Sequence, residues 1–362
     1  MKVIISGGGT GGHIFPALSI AGQIKKTHPD AEILFVGALG RMEMERVPAA
    51  GYKIVGLPVA GFNRQHLLRN WKFPFLLWRS MRRAAGIIRD FRPDVAIGVG
   101  GYASGPVLKA AQRRGIPTLI QEQNQYPGVT NKILAKRARC ICTAYGDMER
   151  FFDPSRTVLT GNPIRPELTQ CALTQAQAKE ALGFSPDKPL VLSVGGSLGA
   201  RTVNNAVAEA LPLLKDKDIN LLWQTGKIYA DACMAKARPY GNVKAQAFIT
   251  DMATAYRAAD LVVSRAGAGT ISELQLVGAA VVLIPSPNVA EDHQRKNAMA
   301  LAYRKAAVMI EDAGAVAALG NTIVRLIADA GTRAAMSAQI RRMALPDAAA
   351  RIVEQIDKIV ES

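Results

Sequence analysis

The chain has 362 residues and a mass of 38.7 kDa, with 49% apolar and 20% charged residues. That excludes a disordered chain and a disulfide-stapled mini-protein, and the length fits two domains. Lys+Arg number 45 against 29 Asp+Glu, a net charge of +16, and residues 1–160 alone hold 23 basic and 10 acidic side chains. The excess therefore sits in the N-terminal half and calls for an anionic partner there: nucleic acid, a membrane surface or a phosphorylated ligand.

Short apolar runs alternate with helix-length segments along the whole chain. Strands are predicted over 3–6, 33–36, 54–57, 95–99, 118–121, 140–144 and 157–159, then over 191–194, 221–224, 243–247, 261–264, 281–284 and 308–310. Buried strands alternating with helices mean α/β domains whose parallel sheets are covered on both faces. The pattern restarts near residue 190, after a polar stretch from Pro163 to Pro189 that reads as a linker with one helix over 175–182. The predicted domains are 1–162 and 163–345, and a last helix from Pro346, about 346–362, could pack on either.

Both halves open alike, with a strand, a glycine cluster and a helix. The first cluster is Gly7-Gly8-Gly9-Thr10-Gly11-Gly12-His13, leading into a helix predicted over 16–26. The second half has Gly195-Gly196-Ser197-Leu198-Gly199-Ala200-Arg201, and a further cluster, Gly98 to Pro106, closes the fourth strand. Glycines let backbone N–H groups approach an anion, and a helix N-terminus adds its dipole. The next strand lacks the carboxylate a dinucleotide site needs, and no Lys-Ser/Thr follows Gly12 as a Walker loop requires. His13 stands where the first loop enters its helix, a setting that lowers the imidazole pKa and leaves a neutral general base. His28, beside Pro29, reads as solvated.

A helix is predicted over 74–92. Leu77, Met81, Ala84 and Ile88 form its core stripe, and at about 100° per residue Phe75, Trp78, Arg82 and Arg89 share the opposite side. Trp71, Lys72 and Arg79 adjoin them. Aromatics among cations, turned from the core, suit an anionic membrane interface. No nucleic-acid-reading motif accompanies them. The four cysteines, Cys140, Cys142, Cys171 and Cys233, lack zinc spacing and read as small buried hydrophobes of a reducing cytosol. Asp216-Lys217-Asp218 lies in a polar turn, so no metal is implied. No secretory h-region is visible and no apolar run reaches ~18 residues, so any membrane contact is expected to be peripheral.

Taken in order, Gly8–Ala17, Gly100–Pro106, Glu122-Gln123-Asn124 with Gly128–Lys132, Gly161–Arg165, Gly195–Arg201 and Arg265–Glu273 resemble the MurG-type N-acetylglucosaminyltransferases of glycosyltransferase family 28. The resemblance implies a GT-B fold, two Rossmann-like domains with parallel sheets facing an interdomain cleft, and the C-terminal helix, about 346–362, crossing back to the first domain. It implies transfer of N-acetylglucosamine, with inversion, from UDP-GlcNAc to the C4 hydroxyl of the muramoyl sugar of lipid I, giving lipid II and UDP. UDP-GlcNAc is the donor substrate and no cofactor is implied. His13 corresponds to the base. Thr10, Gly11, Gly12, Asn124, Arg165, Ser197, Ile249, Ala268, Gly269, Thr270, Glu273 and Gln294 correspond to the donor site, with the Ile249 backbone on the uracil and Glu273 on the ribose. Gly9, Gly100, Gly101, Tyr102 and Ser104 form the acceptor-side loops, and Trp71, Phe75, Trp78, Arg79 and Arg82 the membrane face. The expected place is the cytoplasmic face of the membrane, beside other cell-wall synthesis proteins. Gln121 replaces a common His and Leu198 a common Gln. Arg265 reads equally well as a structural ion-pair partner. Two other classes stay open: a UDP-GlcNAc 2-epimerase-like hydrolase on the same fold, and a nonenzymatic membrane-docking or nucleotide-sensing protein.

Overall fold

The computed structural model describes residues 1–59, 73–196, 198–289 and 292–361. Contacts divide it into two units, Met1–Arg165 with Leu345–Ser362, and Pro166–Ala344.

The first unit runs β1 (Lys2–Ser6), α1 (Gly11–Thr27), β2 (Glu32–Ala38), α2 (Glu43–Ala49), β3 (Lys53–Leu57), α3 (Phe73–Phe91), β4 (Val95–Gly98), α4 (Ser104–Arg113), β5 (Thr118–Glu122), α5 (Val129–Ala135), β6 (Cys140–Thr143) and β7 (Thr157–Leu159). Its seven strands are all parallel, in the order β3-β2-β1-β4-β5-β6-β7. Alternate residues of one strand serve opposite faces: Val3 and Ile5 pack with α1, and Ile4 packs with α3 and α4.

The second unit runs α6 (Gln175–Ala181), β8 (Leu190–Val194), α7 (Arg201–Asp216), β9 (Asn220–Gln224), α8 (Ala230–Ala237), β10 (Val243–Gln246), α9 (Met252–Ala258), β11 (Leu261–Ser264), α10 (Ala268–Val277), β12 (Val281–Leu283), α11 (His293–Tyr303), β13 (Val308–Met309), α12 (Ala315–Ala328) and α13 (Ala330–Arg342). Its six parallel strands lie in the order β10-β9-β8-β11-β12-β13. Thr174 caps α6 in a reciprocal box with Gln177.

The final helix, α14 (Ala348–Glu361), buries Ile352, Val353 and Ile356 in the first unit's core, each contributing about 2 kcal/mol. His28 is half-buried and not simply solvated: its Nε2 meets Asp357 Oδ1 of α14 at 2.9 Å. Sequence spacing cannot show a partner so far along the chain. α1 also starts earlier than expected, at Gly11, because Thr10 takes extended N-cap angles and its carbonyl accepts from His13 and Ile14. The core stripe of α3 is shifted as well. Ser80, Ala84 and Ile88 are buried, whereas Leu77 is 42% exposed and Met81 half-buried. The helix turns its Ser80 edge to the sheet so that the Ser80 hydroxyl reaches the Pro58 carbonyl at 3.1 Å. No single helix among the described residues is long and apolar enough to cross a membrane.

Candidate active site

In each sheet the chain reverses its direction of growth at one place, between β1 and β4 and between β8 and β11. Ligands of open α/β sheets bind at the carboxyl ends of the strands flanking such a switch point. The glycine clusters follow β1, β4 and β8, and the segment Arg265–Gly267 follows β11. The sequence thus places its backbone-exposing loops on the four strands that border the two crevices.

In the first unit the loops after β1 and β4 touch. Gly101 has φ +85°, and a Cβ there would run into the Gly8 carbonyl oxygen. A Cβ on Gly100 would lie 2.8 Å from His13 Nε2. Ser104, fully buried, places its hydroxyl 2.7 Å from the Ser6 carbonyl and 2.8 Å from the Gly100 carbonyl, so it ties the loop to β1. Tyr102 is half exposed beside it.

His13 Nδ1 lies 3.1 Å from the Gly8 carbonyl and 3.2 Å from the Thr10 hydroxyl. A carbonyl only accepts, so the bond to Gly8 assigns the proton to Nδ1 and leaves the Nε2 lone pair as the proton acceptor. Burial pushes the imidazole pKa below its ordinary value, opposed by the Gly8 bond and by the charge of Glu43. The direction is the one expected from the sequence, with burial as its first cause.

Glu43 is a residue the sequence reading missed. It is buried at the start of α2, where Oε2 accepts from the Gly9 amide at 2.9 Å and Oε1 from the Ala38 amide at 2.9 Å. A Cβ on Gly8 would strike its carboxyl group. Glu43 therefore holds the glycine loop against the end of β2. The signal was a carboxylate beside an otherwise empty second-strand end.

Glu122 is a second missed hub. It is buried and accepts from the Asn124 amide and side chain at 2.9 and 3.2 Å, from the Gly128 amide at 3.1 Å and from Asn131 at 2.7 Å. Burial pushes its carboxyl pKa up while these donors pull it down. Beneath it, Gln121 donates to Asn162 at 3.1 Å and accepts from Gln123. The residue that replaces a common His thus joins a buried amide network. Arg165 falls in the first unit, its guanidinium 4.5 Å above the Phe15 ring.

In the second unit the close approach is between the loops after β8 and β9: a Cβ on Gly199, φ +85°, would meet the Thr225 carbonyl. Asn204 pins that carbonyl at 2.8 Å and accepts from Trp223 Nε1 at 3.0 Å. Leu198 is 62% exposed, and Ser197 lies outside the described residues. Ala268, Gly269 and Thr270 form the first turn of α10, and Glu273, one turn on, accepts from the Tyr256 hydroxyl at 3.1 Å. The Ile249 amide donates to Gln224 Oε1 at 3.0 Å, so that N–H already has a partner. Gln294 Oε1 accepts from the Ser286 amide at 2.9 Å. Arg265 pairs with Asp312 and donates to the carbonyls of Ile284 and Pro285, which is the structural alternative of its two readings.

On α3, Phe75 is 61% and Trp78 53% exposed, their rings stack at 6.1 Å, and the Arg82 guanidinium sits 4.9 Å over Trp78. Arg79 is exposed beside them, and Trp71 and Lys72 lie outside the described residues.

The glycosyltransferase family 28 N-terminal domain model matches residues 3–143, and the C-terminal domain model matches residues 190–352. Curated proteins named UDP-N-acetylglucosamine–N-acetylmuramyl-(pentapeptide) pyrophosphoryl-undecaprenol N-acetylglucosamine transferase are similar along the whole length. The one from Phocaeicola vulgatus is 54% identical over 100% of this chain and 97% of its own. That from Bacteroides thetaiotaomicron is 53% identical over 100% and 98%. Among solved structures, Acinetobacter baumannii MurG matches with a TM-score of 0.75 and 29% identity over 99% of both chains. A UDP-GlcNAc 2-epimerase from Neisseria meningitidis bound to UDP-GlcNAc matches with a TM-score of 0.72 at 13% identity over 99% and 100%, a likeness of fold alone. The two parallel-sheet Rossmann-like domains are those of the GT-B fold, and the chain belongs to glycosyltransferase family 28 and, within it, to the MurG N-acetylglucosaminyltransferases.

Proposed function

We propose that the chain transfers N-acetylglucosamine from UDP-GlcNAc to the C4 hydroxyl of the muramoyl sugar of lipid I, releasing UDP and lipid II. The observation that carries the reading is the fixed tautomer of His13. Its Nδ1–H is committed to the Gly8 carbonyl, so Nε2 is free of a proton on the side of the Gly100 loop. A neutral imidazole held there takes the proton from the acceptor hydroxyl as that oxygen attacks the anomeric carbon. The attack comes from the face opposite the departing diphosphate, which inverts the centre. Thr10, Gly11, Gly12 and Asn124 surround the transferred sugar in this reading.

The donor's UDP belongs to the second unit. Glu273 accepts from the ribose hydroxyls, the Ile249 backbone reads the uracil once Gln224 yields, and Gln294 and Ser197 serve the sugar and diphosphate. Support comes from the N-terminal turns of α7 and α10, whose unpaired N–H groups meet the negative charge that grows as UDP leaves. No metal is needed in this reading. The basic aromatic face of α3 keeps the enzyme at the anionic cytoplasmic surface where its lipid-linked acceptor resides, as a peripheral protein beside other cell-wall enzymes.

The test is transfer from radiolabelled UDP-GlcNAc to a lipid I analogue. The wild-type chain is expected to form labelled lipid II, and His13→Ala to lose most of the rate while still binding UDP. Release of UDP at an unchanged rate without acceptor would instead favour the hydrolase.

A further inference from the structure

An apolar pocket of about 360 Å³ opens between α3, α4 and α5 of the first unit. Leu76, Leu77 and Met81 of α3, Pro106 of α4, and Ile133 and Leu134 of α5 line it. Among its described lining residues Lys109 is the one charged group. The mouth stays open to solvent: Ile133 is 60%, Tyr102 52% and Leu77 42% exposed. Large apolar side chains left uncovered around a concavity mark a binding surface.

Two features say what fills it. First, Tyr102 lines the pocket and also belongs to the loop whose Gly100 abuts His13, while Gly105, in the first turn of α4, lines the pocket behind it. On a polyprenyl-diphosphate-linked sugar, the hydrocarbon begins one sugar ring and one diphosphate from the reacting hydroxyl, so it leaves the site beside this loop. Second, Leu77 at the pocket mouth lies within one turn of Phe75 and Trp78, exposed aromatics on the other side of the same helix and the face turned to the membrane in the reading above. A lipid chain leaving that end of α3 for the site has the pocket mouth beside its path, with Lys109 as a cation in the lining.

We infer that this pocket seats the head-end isoprene units of the lipid-linked acceptor, lifting them out of the bilayer to place the muramoyl sugar at His13. The inference rests on the transferase reading and adds the recognition of the chain itself. The volume is at the small end of ligand sites, about 300–1,000 Å³, so it takes a few isoprene units and not the whole chain.

The test compares two water-soluble acceptors that share the sugar, peptide and diphosphate. One ends in four isoprene units and the other in a methyl group. The full-length wild-type chain is expected to show an acceptor KM about tenfold lower for the prenyl form. Gly105→Leu fills the pocket, since a Cβ there meets only Thr130 Cγ2, at an ordinary 3.5 Å. Ile133→Gln makes its exposed wall polar, with little effect on folding. Both variants are expected to erase the prenyl advantage while kcat, donor KM and sedimentation with phosphatidylglycerol vesicles stay at wild-type values. Survival of the prenyl advantage in Gly105→Leu would overturn the inference. So would its loss only in step with vesicle binding, which would assign the chain to the bilayer. No transfer by the wild-type chain to either acceptor would overturn the transferase reading, and the inference with it.

Discussion

The two switch points are built on one plan and closed in different ways. At the β1/β4 crevice the two flanking loops press backbone to backbone, and an imidazole with a committed Nδ1 stands on the contact, braced from below by Glu43. At the second sheet the tight contact moves one strand outward, to the loops after β8 and β9. Beside β11, Arg265 is tied into the fold through Asp312, and Glu273 stays on the first turns of α10 with Tyr256 on one oxygen. One crevice holds a group that changes protonation; the other offers fixed hydrogen-bonding groups. In the proposed mechanism the same topology serves proton transfer once and nucleotide recognition once.

The comparison breaks most sharply at His13. His13→Ala is expected to lower kcat about 10²–10⁴-fold, the usual worth of a general base, with donor KM nearly unchanged in steady-state assays. Glu273→Ala is expected to do the reverse. Loss of hydrogen bonds to a charged group, about 1.5–3 kcal/mol, raises the UDP Kd roughly 10–100-fold by calorimetry while kcat at saturating donor is little altered. The pH profile sharpens the same contrast. Imidazolium cannot accept a proton, so wild-type kcat/KM falls as pH drops through the pKa of His13, and burial places that fall below the ordinary histidine range. Glu43→Gln removes a charge that favours the imidazolium, so the acid limb moves to still lower pH. The loop also loses one hydrogen bond to a carboxylate, which costs about tenfold in kcat/KM. The smallest effect is on α3. Arg82→Gln is expected to weaken binding to anionic vesicles about fivefold, near 1 kcal/mol per cation, with kcat on a soluble acceptor unchanged.

The strands were legible because each is a short apolar run bounded by glycine, proline or polar residues, and β7 and β11 fall on the residues predicted. The loops were legible because glycine clusters after strands have few uses. What escaped were partners distant in sequence. Glu43 looks like an ordinary acid at a helix start until the fold lays it under Gly8, and Glu122 shows its four donors only once the chain has turned at Gly128. Leu77 misled for a related reason. Periodicity finds the apolar side of a helix, but it does not separate residues on the sheet from residues that line a pocket between helices.

Hydrogen–deuterium exchange of the full chain with and without UDP tests the division of labour most directly. The account predicts slowed exchange in residues 195–201 and 265–273 of the second unit, with residues 7–13 and 100–105 unaffected. Protection at residues 7–13, with none in the second unit, would contradict it.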